Sequence, residues 1–520
     1  MNISLKKVFL LFLGVFSFFS CKNEENTVVE NLSQYVEPRI GTAHCRWFHF
    51  APGAMPFGMA KPAPSTNGSL GNKSGWEATG YDYRDNTIEG FPCLHEFQIG
   101  GISLMPTVGE LLTVPGLPSD TIKTGYRSRF SHENEVVKPG YYSVLLDDYQ
   151  IQAELTATER VAFQRFTFPQ GQEKHILFNI GNRQGESGAV KDAYVVYNQD
   201  GTVEGWVITE PEYVKKYQPG AVVPLYFSAV LDKEPLDYGA YNGNVQQSGV
   251  RESKGVGAGM YFSFASENQE IVTAKIGLSY TSVENARLNL QQEASDLDFD
   301  RAKERAQATW EDYLGRIRVE TECREDKVKF YTGLYHALLG RGLASDVNGA
   351  YPRNDGSVGQ LPMKEGTPLY NIYNTDAAWE AQWNLSQLWI LAYPEYMSEY
   401  ISSHLQAYKD AGWLADGLAN NRYVSGVGTN LLSTIIAGAY ECGIRDFDTK
   451  TAYEACLKNE LEGKNRPFGA GKVNTTEFVK YGYVLIRIQV KAIMKPLCFQ
   501  HHIRWSILIV PGLLHSGLSS

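Results

Sequence analysis

The sequence lacks the cysteine spacing of a metal or redox site. Its 7 cysteines include no C-x-x-C pair, which argues against a zinc-binding or thioredoxin-like site. Cys45 and Cys93 stand at the two ends of one long loop, and the sequence leaves open whether they form a disulfide. Most of the other cysteines are expected to behave as small buried hydrophobic residues.

The sequence also lacks an excess of positive charge and several catalytic motifs. The formal net charge is −10, so nothing predicts nucleic acid as a partner. The patterns G-x-S-x-G, H-E-x-x-H and G-x-x-x-x-G-K-[ST] are absent, which leaves serine-hydrolase, zinc-protease and P-loop chemistry without their usual motifs. The 31 tyrosines and 9 tryptophans among 520 residues instead predict a globular protein of two or three domains.

The N-terminus has no apolar run long enough to cross a bilayer comfortably. Two lysines precede an apolar run at residues 8–19, and Cys21 follows shortly after it. This order is typical of a signal peptide. Because a cysteine directly follows, residues 1–21 resemble a bacterial lipoprotein signal with Cys21 as the lipidation site, and residues 22–33 are predicted to be a tether. This predicts a lipid-anchored outer-membrane protein of the cell envelope of a Bacteroidetes-like bacterium; ordinary secretion is the alternative.

Hydrophobic periodicity divides the rest of the chain. Residues 34–282 alternate apolar and polar positions between recurring turn signals, which predicts an antiparallel β-sandwich. Residues 283–318 are rich in charge and have no glycine or proline before Gly315, which predicts a linker of one or two helices. Residues 319–484 show apolar spacing of i, i+3, i+4 and predict antiparallel helices in a solenoid or toroid. The predicted class is a multidomain β + α protein.

A long stretch between residues 47 and 110 combines aromatic residues with glycine, proline and short polar side chains. Such density of glycine and proline indicates ordered turns, and a long ordered loop in a globular chain is usually functional. Flat aromatic faces beside Asp, Glu, His and Asn suit a sugar, which has apolar C–H faces and many hydroxyls. The alternative is a meander whose aromatic side chains only fill a core.

Several segments resemble the glycoside hydrolase family 92 α-mannosidases, and the likeness extends over residues 35–484. The most specific is the P-G-A-x-P-F-G-M block at residues 52–59. The resemblance implies a calcium-dependent inverting exo-enzyme with an N-terminal β-sandwich and a C-terminal (α/α)6 barrel. The other matching segments are residues 36–42, 80–83, 88–91, 374–389 and 452–455.

The resemblance also implies candidate substrate-binding residues in the sandwich and the first barrel helices. Asp376 occupies the place of an acidic residue that grips the terminal sugar, and its alternative role is to cap the helix that follows. Trp379 lies on that helix, four residues before Trp383, for which core packing is at least as probable a role. His95 and Glu96 are predicted to form a polar rim, with a structural turn as the alternative. The candidates are Trp47, Phe48, His49, His95, Glu96, Asp376 and Trp379.

The end of the chain departs from the family pattern. Residues 485–520 contain no acidic residue, and a shifted reading frame permits two runs similar to family 92 sequence there. We therefore expect an out-of-frame tail, with an apolar, basic C-terminal element as the alternative. An inverting glycosidase needs two carboxylates about 6.5–9.5 Å apart. In the family these carboxylates and most Ca²⁺ ligands lie in later barrel helices, so no catalytic residue or metal ligand is assigned before residue 484.

Two functions follow from the sequence. The first is hydrolysis of terminal α-mannose from a mannose-containing glycan, with α-1,2 linkage as a candidate. The chain is expected to form an incomplete (α/α)6 barrel and to lack the catalytic acid and base. The alternative is a non-catalytic lipoprotein that binds glycans at the cell surface.

Overall fold

The structure is a computed structural model, and it describes residues 30–43, 50–70, 80–96, 99–119, 124–375, 378, 381–424 and 430–484. The unit considered below begins at Leu32. The predicted signal at residues 1–21 with its lipidation site Cys21, most of the tether at residues 22–33 and the tail at residues 485–520 lie outside the described residues. In the part of the chain that is described, no helix is long and apolar enough to cross a membrane.

Strands occupy most of the first half of the described chain, and short strands recur later. They are β1 (Thr87–Ile88), β2 (Phe91–Glu96), β3 (Ile99–Val108), β4 (Ser128–Arg129), β5 (Val136–Lys138), β6 (Tyr141–Leu146), β7 (Ile151–Ala157), β8 (Val161–Phe168), β9 (Lys174–Asn179), β10 (Ala189–Tyr197), β11 (Val203–Glu210), β12 (Val223–Leu231), β13 (Asp237–Asn242), β14 (Val245–Ser248), β15 (Glu252–Lys254), β16 (Ala258–Phe264), β17 (Glu270–Ser279), β18 (Ala350–Pro352), β19 (Val358–Gln360), β20 (Met363–Lys364), β21 (Thr367–Pro368), β22 (Gly417–Ala419) and β23 (Arg422–Val424).

Helices dominate from Val283 onward, and one short helix lies earlier, within the β region. The helices are α1 (Glu212–Tyr217), α2 (Val283–Ala294), α3 (Phe299–Gly315), α4 (Arg324–Leu339), α5 (Ser386–Ala392), α6 (Pro394–Ala411), α7 (Leu432–Glu441), α8 (Thr449–Leu461) and α9 (Thr475–Tyr481). A π-helical turn, Ala381–Leu385, precedes α5.

The β region consists of two antiparallel sheets that pack against each other. The larger has the order β15-β10-β11-β12-β17-β8-β7-β6-β5, and the smaller has the order β14-β13-β16-β9-β3-β2. Their inner faces meet through aromatic side chains: the rings of Phe178 and Phe227 lie 6.4 Å apart, and those of Phe91 and Phe166 lie 6.0 Å apart. Alternating burial along β12 shows the period of two from which the sequence predicted a β-sandwich.

The charged segment after the sheets forms the two helices that its composition predicts. The Ser282 side chain caps α2 by accepting from the Asn285 N–H at 3.1 Å, and Asp298 caps α3 by accepting from the Arg301 N–H at 2.8 Å. Helix α2 packs directly on β17, because a Cβ on Gly277 would lie 2.4 Å from the Ala286 carbonyl oxygen. The linker helices therefore lie against the sheet.

Three features differ from the sequence-based prediction. Helix α1 interrupts the β region, and its Tyr217 ring lies 4.6 Å from that of Phe468 in the helical part. The helix-period apolar spacing at residues 378–412 predicts one continuous helical segment, but the helix breaks at Tyr393, because Pro394 occupies the first turn of α6 and disfavours a helical residue before it. Small β-hairpins (β18–β19, β20–β21 and β22–β23) stand between helices that the periodicity alone would join.

Candidate functional site

Five of the predicted substrate-binding residues lie outside the described residues. They are Trp47, Phe48, His49, Asp376 and Trp379. Their roles stay predictions, and the structure bears on their surroundings. Trp383 is described and is 58% exposed, so of the two roles that the sequence left open for it, the structure does not support core packing.

The P-G-A-M-P-F-G-M block at residues 52–59 is a buried wedge between the sheets and the helices. The Phe57 N–H donates to the Leu338 carbonyl at 2.9 Å, and the Leu343 N–H donates to the Phe57 carbonyl at 2.9 Å. The Phe57 ring stacks on Tyr396 at 3.5 Å between centroids. For this part of the long aromatic loop the core-filling alternative is correct, and its function is to hold the two regions of the chain together.

His95 and Glu96 lie in a strand and are buried, so they are not an exposed rim, and their role in substrate binding stays a prediction. Both are buried at the end of β2. This strand is the edge of the smaller sheet, and the preceding segment covers it, because the Lys61 N–H donates to the Cys93 carbonyl at 2.8 Å. Gly80 packs on the imidazole, since a Cβ there would lie 2.3 Å from His95 Nε2. The Cys93 thiol on the same strand is a buried free cysteine.

Glu96 is held by the backbone of the helical region and faces a buried lysine. Its Oε1 accepts from the Gly342 N–H at 2.9 Å, and its Oε2 lies 3.7 Å from Lys61 Nζ. The ammonium donates to the Gly58 carbonyl at 2.9 Å, and burial lowers the pKa of Lys61 while Glu96 raises it. No described residue donates a hydrogen bond to Glu96 Oε2, so a buried acceptor remains for a ligand hydroxyl or water.

Gly342 links Glu96 to the segment that enters Asp376. The Gly342 carbonyl accepts from the Asn374 N–H at 2.9 Å, while its own N–H goes to Glu96. The Asn374 side chain accepts from the Asn420 N–H at 2.7 Å and donates to the Tyr280 hydroxyl at 3.3 Å. The structure thus places β2 beside the residues immediately before Asp376.

The hairpin β22–β23 fixes the same segment from its other side. Asn420 and Asn421 have φ of 48° and 55°, which is the left-handed pair that a two-residue type I′ turn requires. Thr375 and Leu418 exchange backbone hydrogen bonds of 2.9 and 2.7 Å. The segment before Asp376 is therefore held as an extended strand, although its sequence suggested only a helix start.

Asp416 connects this hairpin to the last helices. Its carbonyl accepts from the Ala378 N–H at 2.6 Å, and its Oδ1 accepts from the Asn430 N–H at 3.1 Å. The Asn430 Nδ2 in turn donates a hydrogen bond to Asn459 Oδ1 at 3.2 Å. Sequence reasoning missed Lys61, Gly342, Asn374, Asp416 and Asn430, and the paired asparagines at the hairpin were the one signal that pointed to them.

The described residues do not fit a calcium site. Among them, no group of three or more His, Cys, Asp or Glu side chains is placed to share a metal ion. Ca²⁺ takes about six to eight oxygen ligands, usually with several carboxylates.

Comparison with known proteins identifies the family. The model of the glycosyl hydrolase family 92 N-terminal domain matches residues 35–279, and that of the family 92 catalytic domain matches residues 285–494. The second match ends ten residues beyond 484, where the likeness was expected to end. The boundary between the two matches falls beside the start of α2.

Individual relatives agree with this match. A protein of Arthroderma benhamiae described as an uncharacterized secreted glycosidase is 25% identical over 460 residues, which cover 82% of this chain and 52% of that protein. A family GH92 α-mannosidase of Bacteroides thetaiotaomicron, solved in complex with mannoimidazole, superposes with a TM-score of 0.75 at 25% identity, covering 84% of this chain and 56% of that one.

A family GH92 inverting mannosidase of Bacteroides thetaiotaomicron VPI-5482 shares the fold, with a TM-score of 0.73 at 24% identity and coverage of 87% of this chain and 58% of that chain. The chain thus spans about half the length of each of these three relatives. Matches over both the β region and the helical region, together with the shared fold, show that this chain belongs to glycoside hydrolase family 92.

Proposed function

We propose that this chain is part of an α-mannosidase that releases terminal mannose from glycans, with inversion at the anomeric carbon. The observation that carries the proposal is that family 92 models match nearly the whole described chain. The likeness to a solved α-mannosidase supports the substrate class, and the likeness to the secreted glycosidase of Arthroderma benhamiae supports a glycosidase that acts outside the cell.

Within this proposal, this chain supplies the sugar-holding half of the site, to which the described Glu96 belongs. The segment that Gly342 and Asn420 hold ends immediately before Asp376 in the sequence, and the sugar-binding roles of Asp376 and Trp379 stay predictions. Trp47, Phe48 and His49 precede the wedge at residues 52–59 in the sequence, and their sugar-binding roles also stay predictions. The helices from α4 onward form part of an (α/α)6 barrel, and the acid, the base and the Ca²⁺ ligands come from residues other than those described.

Mannose release from 4-nitrophenyl α-D-mannopyranoside, measured with and without EDTA, tests the proposal. Metal-dependent release by the 520-residue chain supports the activity and contradicts the expectation that its acid and base are missing. Binding of methyl α-D-mannopyranoside without release supports the sugar-holding role alone. If the folded chain neither binds nor cleaves, the proposal is wrong. A glycan array distinguishes the non-catalytic alternative, which nothing in the comparisons favours.

Two further parts of the sequence prediction are also proposals. We propose that Cys21 carries the lipid that anchors the protein to the envelope, and metabolic labelling with a palmitate analogue, compared between Cys21 and a Cys21→Ser variant, tests this. We also propose that the tail after residue 484 is out of frame. Sequencing the gene across that codon tests it, and an intact frame would contradict it.

A further inference from the structure

A cavity lies on the side of the segment before Asp376 that is opposite to Glu96 and the candidate site. It is open to solvent, has a volume of about 530 Å³, and is lined by the wedge, the two linker helices, the β20–β21 hairpin and α6. Tyr373 lines this cavity. The side chain of the next residue, Asn374, instead accepts from the Asn420 N–H on the side of the candidate site. Because successive residues of an extended segment face opposite sides, one short segment separates the two spaces. Lys61, Glu96 and Gly342 do not line the cavity.

One half of the cavity wall is apolar and the other half carries fixed polar groups. Met55, Phe57, Leu343 and Pro368 provide the apolar part. The polar part includes Asn371, which accepts from Arg160 Nη2 at 3.3 Å. A wall of this kind, with a few converging polar groups on an apolar surface, is typical of a small-molecule site, and so is the volume.

The charges around the cavity are compensated except at one carboxylate. Glu159 pairs with Arg305 at 3.2 Å, Arg160 pairs with Glu293 at 2.9 Å, and Glu395 pairs with Arg316.

Glu399 instead is held by neutral donors. The Tyr373 hydroxyl donates at 2.6 Å, and Asn371 Nδ2 donates at 3.2 and 3.3 Å. Among the described residues no ion pair to Glu399 is present, and its side chain is half-buried. A carboxylate has about four acceptor positions, so Glu399 has a fixed orientation and capacity for further donors.

We propose that this cavity is a second carbohydrate site, separate from the candidate mannosidase site. It takes one neutral sugar residue, free or at the end of an oligosaccharide. The ring hydroxyls donate to Glu399, which Asn371 and Tyr373 hold in place, and the C–H face of the ring lies on the apolar wall. A neutral polyol fits better than an anion, because the one uncompensated charge is negative. The proposal goes beyond the mannosidase activity and does not depend on it.

Saturation-transfer NMR with methyl α-D-mannopyranoside and methyl β-D-glucopyranoside, on the full chain, tests the proposal. Hydrogen exchange with and without the sugar locates the binding. At least one sugar is expected to protect the backbone amides of residues 366–373 from exchange. Glu399→Gln is expected to weaken that binding about tenfold, since it removes a charge-assisted hydrogen bond. Thr367→Trp is expected to abolish it by filling the cavity from the exposed hairpin.

Matched controls separate a lost site from a damaged fold. Glu454→Gln removes an exposed charge on α8, and Val358→Trp adds an indole to the exposed β18–β19 hairpin outside the cavity. Both are expected to bind as the unsubstituted chain does. No binding of either sugar, protection only outside residues 366–373 and 395–399, or unchanged protection in Thr367→Trp would overturn the proposal. Loss of mannosidase activity alone bears only on the proposed function.

Discussion

Two buried lysine–carboxylate pairs differ in the distance between the ammonium and the carboxylate. The closed pair, Lys472 and Glu460, lies among the last helices, and the open pair, Lys61 and Glu96, lies at the junction of the sheets and helices. Lys472 lies 2.6 and 2.7 Å from the two oxygens of Glu460. Lys61 lies 3.7 Å from one oxygen of Glu96, and its hydrogen bond goes to a backbone carbonyl instead. All four side chains are at most 5% exposed, so burial does not explain the difference.

The difference indicates two purposes for the same residue types. The closed pair leaves neither carboxylate oxygen without a partner, which is the arrangement a buried charge needs for stability alone. The open pair keeps a buried acceptor without a described donor, beside the segment that enters Asp376. We infer that the closed pair holds the last helices together, whereas the open pair is arranged for a ligand.

The largest expected effect is on the closed pair. Lys472→Met leaves Glu460 as a buried charge without its partner, and we expect a loss of about 3–5 kcal/mol in the free energy of unfolding. Denaturation in urea measures it. Lys464→Met, at an exposed position in the loop between α8 and Lys472, is the matched control. It should change the unfolding free energy by less than about 0.5 kcal/mol. Equal stabilities of the two variants would mean that the pair contributes nothing.

A buried histidine in α6 provides the contrast of a group that stays uncharged. Complete burial of His404 lowers its pKa from 6.5 to about 3, so the folded state excludes a proton that the unfolded state binds below pH 6.5. Its contribution to stability is therefore present above pH 6.5 and is lost as the pH falls toward 3. Relative to His404→Phe, the native chain should lose about 1.4 kcal/mol for each pH unit below 6.

Urea denaturation of the native chain and of His404→Phe at pH 8, 6 and 5 measures this loss. The stability difference at pH 8 reports the packing change alone and serves as the internal control. A difference that stays constant between pH 8 and pH 5 would show that folding does not lower the pKa of His404.

The sequence predicted the order of the regions better than the contacts of the site. Period-two and i, i+3, i+4 patterns depend on neighbouring residues, so the sheets and α4–α8 followed from them. Strand β2 has no such alternation because both of its faces are buried, and His95 and Glu96 were therefore assigned to a rim. The bond from Gly342 to Glu96 spans 246 positions, and no local pattern carries that information. The break before Pro394, in contrast, was visible in the sequence.

Substitution of Gly342 tests how closely the backbone packs around Lys61 and Glu96. A Cβ there would lie 2.3 Å from the Gly58 carbonyl oxygen and 2.5 Å from Lys61 Nζ, so Gly342→Ala should destabilise the fold by about 1–3 kcal/mol through overpacking. Gly333 on the exposed face of α4 has nothing within 4 Å of the same atom. Gly333→Ala should instead stabilise by about 0.5–1 kcal/mol, because alanine favours a helix interior. Thermal unfolding of both variants compares them, and destabilisation by Gly333→Ala would contradict this account of the packing.

The smallest expected effect separates structure from binding at Glu96. Glu96→Gln keeps an acceptor for the Gly342 N–H and removes a charge that is only loosely paired, so we expect a stability loss of about 1 kcal/mol. Glu460→Gln removes the closed pair and should cost more. If Oε2 serves a ligand, Glu96→Gln should weaken methyl α-D-mannopyranoside binding at the candidate site about tenfold, since one oxygen becomes a donor. Unfolding in urea and protection of residues 340–343 from hydrogen exchange by the sugar measure the two effects separately. A Glu96→Gln chain as destabilised as Glu460→Gln, with unchanged protection by the sugar, would make the open pair structural as well.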